Sequence, residues 1–161
     1  MSQFQKMTTE TENYKIAKET FERIQDNFPA LTMNWIFDSP NVQLSLEIPA
    51  QSGLDFELNL NLQDDSELHI STNVIWCKLF SNDMKGLSEY FYDCVEGIIN
   101  GEFRVVQNYH GKKMYNSLLQ RPTENGDWKT IYRHINKLKF PWTKTEKNII
   151  QNGKNSTLLK I

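Results

Sequence analysis

The sequence predicts an α+β fold, an antiparallel β-meander with helices packed on one of its faces. Three observations lead there. Between Met33 and Trp76, apolar and polar residues alternate at the period of a pleated strand. Segments on either side of that block repeat their apolar residues every three or four positions, as a helix with one buried face does. The loops between the alternating runs have lengths that keep every apolar set on the same side, where a slip of one residue would send a whole set into water.

In chain order, Thr9 and Glu12 have the spacing of a capping box, and Tyr14, Ala17, Phe21, Ile24 and Phe28 form one stripe. Pro29 ends that helix, because its ring disfavours helical geometry at the residue before it. Four strands are then expected. Their inward sets are Met33, Trp35 and Phe37; Val42, Leu44, Leu46 and Ile48; Leu54, Phe56, Leu58, Leu60 and Leu62; and Leu68, Ile70, Val74 and Trp76. The intervening loops place Phe37 opposite Val42, Ile48 opposite Leu54 and Leu62 opposite Leu68. Ser81, Asn82 and Asp83 offer N-caps for a second helix bearing Leu87, Tyr90, Phe91, Cys94, Val95 and Ile98, which Asn100 and Gly101 end.

A hairpin follows, 102–109 and 112–120 around His110 and Gly111, with Phe103 opposite Leu118 and Arg104 opposite Ser117. Neither of its faces is cleanly apolar, which places it near a sheet edge. Residues 128–138 fit a helix and a strand alike; the helix is preferred. One domain is expected over 1–161, with about 1–8 and 143–161 weakly ordered.

The net charge of −2 hides an asymmetry. Residues 1–101 carry 16 acidic and 6 basic side chains, residues 102–161 carry 4 and 12. Such halves either present two surfaces of opposite sign or neutralise each other. Neither has the Lys/Arg density of a nucleic-acid binder, so no nucleic-acid partner is expected. No apolar run approaches the roughly 20 residues that cross a bilayer, and no membrane role is expected. The start, MSQFQKMTTETE, lacks an apolar signal core, and Cys77 and Cys94 lack CxxC spacing. A reduced, cytoplasmic protein is the expectation.

Catalytic signatures are missing. Gly153-Lys154 has neither the upstream glycine nor the following Ser or Thr of a phosphate loop, and GxSxG, HExxH and GxGxxG do not occur. His69, His110 and His134 are scattered, so no metal and no cofactor is expected. Asp64 and Asp65 read as turn residues rather than paired acid–base carboxylates. The informative constellation is on the outer face of the meander. There Glu47 is expected across from Asp55, with Glu57 two residues along and Ser45, Asn59, Asn61, His69, Ser71 and Asn73 as a polar floor. Like charges directly opposed on a sheet are destabilising. The face is therefore a solvated surface, an acidic site for a basic partner, or a floor beneath basic residues such as Arg104 and Lys112. Glu47, Asp55, Glu57, Asn59, Asn61 and His69 are the candidate partner-binding residues, and no catalytic residue is assigned.

The block MNWIFDSPNVQLSLEIPAQSGLDFELNLNLQDDSELHI, followed by FRVVQNYHGKKMY, resembles small uncharacterised bacterial α+β proteins similar to the immunity proteins of toxin–immunity systems. That resemblance covers about residues 30–135 and implies a cytosolic, non-enzymatic protein that neutralises a toxin by binding it, with a basic toxin domain as partner. Two alternatives stay open. One is an acidic secretion-chaperone-like dimer, against which the basic C-terminal third argues. The other is a small-ligand protein or enzyme with a pocket between sheet and helices, lined by Trp35, Trp76, Tyr90 and Tyr92.

Overall fold

The computed structural model describes residues 10–40, 42–136 and 144–160. Helix α1 (Glu12–Asn27) leads into β1 (Asn34–Ser39), β2 (Val42–Ile48), β3 (Leu58–Gln63), β4 (Glu67–Ser71) and β5 (Trp76–Phe80). Helix α2 (Met84–Ile99) follows, then β6 (Arg104–His110), β7 (Lys113–Pro122), β8 (Trp128–Ile135), β9 (Thr145–Gln151) and β10 (Lys154–Lys160). The strands make two antiparallel sheets, β1-β2-β3-β4-β5 and β10-β9-β6-β7-β8. The fold is α+β, as the alternation and the stripes predict, but the meander has five strands rather than four.

The first sheet buries one face. Leu44, Leu46, Ile48, Leu58, Leu60, Leu62, Leu68, Ile70 and Cys77 point to the helices and are sealed from water. Helix α1 lies over β2 and β3, and α2 over β4 and β5. Phe21 of α1 stacks on Phe91 of α2 with ring centroids 5.6 Å apart, which locks the two helices together above the sheet. The N-cap of α1 is Thr11, whose Oγ1 accepts from the Tyr14 N–H; Thr9, expected in that role, lies outside the described residues. Thr11 also donates to the Asp65 carboxylate, and Asn13 donates to the Asp65 carbonyl at 2.8 Å, so the start of α1 is tied to the β3–β4 turn. Asp64 and Asp65 both take positive φ there and are turn residues. Asp83 caps α2 through the Gly86 N–H.

Several expectations are corrected. In the first hairpin Trp35 pairs with Leu46 and Phe37 with Leu44, two residues from the expected register. Ile48 pairs with Leu58 rather than Leu54, a shift of four. Residues 49–57 form a loop with its own Gln51–Leu54 bridge, and Leu54 and Phe56 reach the core from it. Both shifts are even, so every inward residue stays inward. The expected fourth strand breaks after Ser71. Thr72 Oγ1 accepts from Val74 N and Ile75 N, Thr72 N donates to Ile75 O, and the chain reverses into β5. Val74 and Asn73 therefore sit in a turn, and Trp76 falls on the opposite face from the one expected.

The C-terminal third also differs. Residues 128–135 are strand β8, not a helix; its β-branched and aromatic residues pair with β7 across the turn at Gly126. The 102–120 hairpin has Arg104 opposite Gln120 and Val106 opposite Leu118. It is central in the second sheet rather than near an edge, because the polar tail returns as β9 and pairs with β6. Residues 145–151 and 154–160, in the span expected to be weakly ordered, form β9 and β10; residues 1–8, 137, 138, 143 and 161 lie outside the described residues. A buried Asn152 secures the tail. Its Oδ1 accepts from Asp55 N (2.8 Å), and its Nδ2 donates to Gly53 O (2.9 Å) and to Ile99 O at the end of α2.

Candidate partner-binding face

The side chains that turn away from the helices form the outer face of the first sheet, in three cross-strand rows. One row runs Asn34, Glu47, Asn59, Ser71, Trp76, and the next Ile36, Ser45, Asn61, His69, Lys78. The third contains Gln63, Glu67 and Phe80. Polar side chains fill the middle: Gln63 Nε2 donates to Asn61 Oδ1 at 2.8 Å, and Gln43 Oε1 accepts from the backbone N–H of Asp65 at 2.7 Å. Apolar side chains stand at both ends, Ile36 on β1 and Trp76 and Phe80 on β5.

The expected acidic cluster is not assembled. Glu47 lies between Asn34 and Asn59, not across from Asp55. Asp55 is in the 49–57 loop, where its carboxylate accepts from Gly153 N at 2.7 Å and so serves the β9–β10 turn. Glu57 is exposed just before β3. Asn59, Asn61 and His69 do share the face, and the expected Asn61–His69 pairing is present. Neither candidate basic cover is seated on it: Arg104 stacks on the Trp128 ring and bonds Gln120, and Lys112 is exposed beside the hairpin turn. The cation that reaches a carboxylate here is Lys78, from the sheet itself.

His69 is not solvated. It is 1% exposed and sits in a chain of hydrogen bonds that begins at Trp76. The Trp76 indole N–H donates to His69 Nδ1 at 2.9 Å, His69 Nε2 meets Glu67 Oε2 at 3.2 Å, and Lys78 Nζ lies 2.8 Å from Glu67 Oε1. An indole only donates, so Nδ1 is the bare nitrogen and Nε2 carries the ring proton. Burial pushes the His69 imidazole below its usual range, against the opposing pull of Glu67. The Lys78 ammonium holds the Glu67 carboxyl below the usual carboxylate range. Both imidazole nitrogens and the carboxylate are thus occupied, and what they fix is the indole.

Trp76 itself remains 48% exposed, with its ring near those of His69 (centroids 5.6 Å) and His134 of β8 (6.1 Å). Strand β5, which bears Trp76, is held by the second sheet, since the Lys78 backbone N–H donates to the Tyr132 hydroxyl at 3.0 Å. Lys78 and Phe80 were missed as site residues, and Trp76 was expected on the inner face as a pocket wall, because the Thr72 reversal puts all three on the outer face. The signal for that reversal was the turn-forming pair Thr72-Asn73.

The four aromatics expected around one pocket do not converge. Trp35 stacks on Phe37 beside α1, Trp76 is on the other face, Tyr90 is partly exposed on α2, and the Tyr92 hydroxyl bonds Asn27 and Glu96. A groove of about 740 Å³ lies between α2 and the β7–β8 turn, walled by Asp93, Glu96, Glu102, Arg121, Glu124 and Lys129. Cys77 and Cys94 are free and buried, and burial raises both thiols, Cys94 to about 12. Among the described residues no group of three or more His, Cys, Asp or Glu gathers as metal ligands would, and no helix is long and apolar enough to cross a membrane. Comparison with protein-family models, curated proteins and solved structures found no match to this chain.

Proposed function

We propose that this protein is a non-enzymatic binding protein that takes a protein partner onto the outer face of its first sheet, as an immunity protein takes the toxin it neutralises. The observation that carries the reading is Trp76. Its polar atom is already satisfied within the protein and its ring packs near two imidazoles, yet half of its surface is open. A rigid, pre-satisfied aromatic gives a partner apolar area at little cost in conformational entropy, which is how interface hot spots work. Phe80, 73% exposed, extends the apolar end, and Asn59, Asn61, Glu47 and Lys78 supply a polar surround. The partner this fits has an apolar depression for Trp76 and Phe80 and a basic group for Glu47. The toxin identity is supported by the sequence resemblance.

The test places a photo-crosslinking residue at Lys78 in cells, identifies the captured protein, and measures its binding in purified form. Trp76→Ala should weaken binding by about 30-fold or more in a chain that still folds, at the stability cost of leaving His69 Nδ1 without its donor, and Phe80→Ala should weaken binding without that cost. Equal binding by Trp76→Ala and Phe80→Ala variants would refute the assignment of the face. The captured protein should also arrest growth when expressed alone and be harmless when this chain is co-expressed. A harmless partner removes the immunity reading and leaves the binding face standing.

A further inference from the structure

The two edges of the first sheet are treated differently. At β5 the outward N–H of Lys78 is taken up by the Tyr132 hydroxyl, so the strand cannot extend the sheet there. At the opposite edge β1 has no described strand beyond it. Its sequence, NWIFDS, has no lysine, no proline within the strand and no bulge, and Asp38 is its one charged residue. It exposes apolar surface instead, Phe37 at 51% and Ile36 at 38%.

We infer that β1 pairs with β1 of a second copy about a two-fold axis through Ile36, joining two sheets into one of ten strands. The residue order is self-complementary in that register. Ile36 meets its own copy and Trp35 meets Phe37 of the other chain, each pair from the same face. The core-side rings are prepared for it. Trp35 and Phe37 stack at 5.7 Å, nearly parallel, with one flank of Phe37 open. The groove beside them, about 220 Å³, is lined by Lys18, Glu22, Gln25, Trp35 and Phe37 and has room for one more aromatic ring.

Charge points to the same occupant. Lys18 and Glu22 sit one turn apart on α1 with 4.0 Å between their charged atoms, both substantially exposed. Both line the groove, so a second copy brings a wall of balanced charge against a wall of balanced charge, where a partner of one sign would meet a like charge. The outer face stays open in such a dimer, so this inference stands apart from the function proposed above.

Sedimentation velocity of the full chain over a concentration series should show a reversible monomer–dimer equilibrium. Ile36→Lys opposes two ammonium groups on the axis and should raise the dimer Kd by about 100-fold or more while leaving the monomer folded. Lys18→Glu and Glu22→Lys should each weaken the dimer, and the two together should restore it, which a general loss of structure would not produce. Ile36→Cys should give an oxidant-induced covalent dimer through that one position. A chain that stays monomeric throughout overturns the inference, even if it captures an extended foreign peptide on β1. A dimer indifferent to Ile36→Lys and to the charge swap overturns it as well, because its interface is elsewhere.

Discussion

Replacing Asn152 with alanine tests the junction that holds the C-terminal tail. The side chain is buried and makes three hydrogen bonds, to Asp55 N, Gly53 O and Ile99 O. The residues bearing the first two groups are exposed, so water replaces much of what is lost; each bond then costs about 0.5–1 kcal/mol. Ile99 O is in a buried bond, and leaving a buried carbonyl unpaired costs about 1–3 kcal/mol. Together the loss is about 2–5 kcal/mol. Asp55→Ala removes one exposed bond, to Gly153 N, and should cost about 0.5–1.5 kcal/mol. Both substitutions release the same loop, so the double variant should lose less than the sum. Urea unfolding followed by tryptophan fluorescence and circular dichroism gives the numbers, with Glu124→Ala, exposed and without such bonds, as control. An Asn152→Ala cost below about 0.5 kcal/mol, or equal to the control, would refute the reasoning.

Other expectations follow from the same geometry. Leu58→Ala and Leu60→Ala, both sealed in the core, should each cost about 2–5 kcal/mol in chemical denaturation. Gly97→Ala should destabilise despite alanine's better helix propensity, because its Cβ would lie 2.6 Å from the Phe103 ring; a gain in stability would show that Phe103 moves freely. His69 has a depressed pKa, so the unfolded chain binds a proton before the folded one does. Its contribution is present above the unfolded value of about 6.5 and is lost as pH falls below that value towards the lower folded one. His69→Gln, whose amide can accept from Trp76 and donate to Glu67 without titrating, should flatten the wild-type slope in that window. A parallel slope in the two proteins would place the proton uptake elsewhere.

What was legible in the sequence was parity. The inward set from Leu44 to Ile70 is buried as read, because a period of two survives any even slip of register. What was illegible was set by loops and by distant pairing. The β2–β3 connection is longer than Pro49–Gly53 because Asp55 is drawn away by Gly153 and Asn152, nearly a hundred residues on. The acidic pair Glu47–Asp55 vanished with that capture. His69 was placed opposite Asn61 correctly, but its burial depends on Trp76 folding back after Thr72 and on β8 arriving alongside. Residues 128–135 became a strand because β7 was there to pair with them, which apolar spacing alone could not distinguish from a helix.

The order of the second sheet has a consequence for how the chain is made. Strand β6 stands at its centre, yet one of its two partners, β9, is synthesised some forty residues later. The five-strand meander and both helices consist of neighbours in sequence and can form as the chain emerges. Until residue 145 is reached, however, β6 offers a bare flank bearing Val105 and Val106, and the 49–57 loop lacks its Asn152 clasp. A released chain that stops before residue 145 carries that flank into solution as a templating surface for any neighbouring strand. Truncation after residue 136 should therefore send more of the product into inclusion bodies than the full chain does, and supplying residues 144–160 as a separate peptide should reduce it.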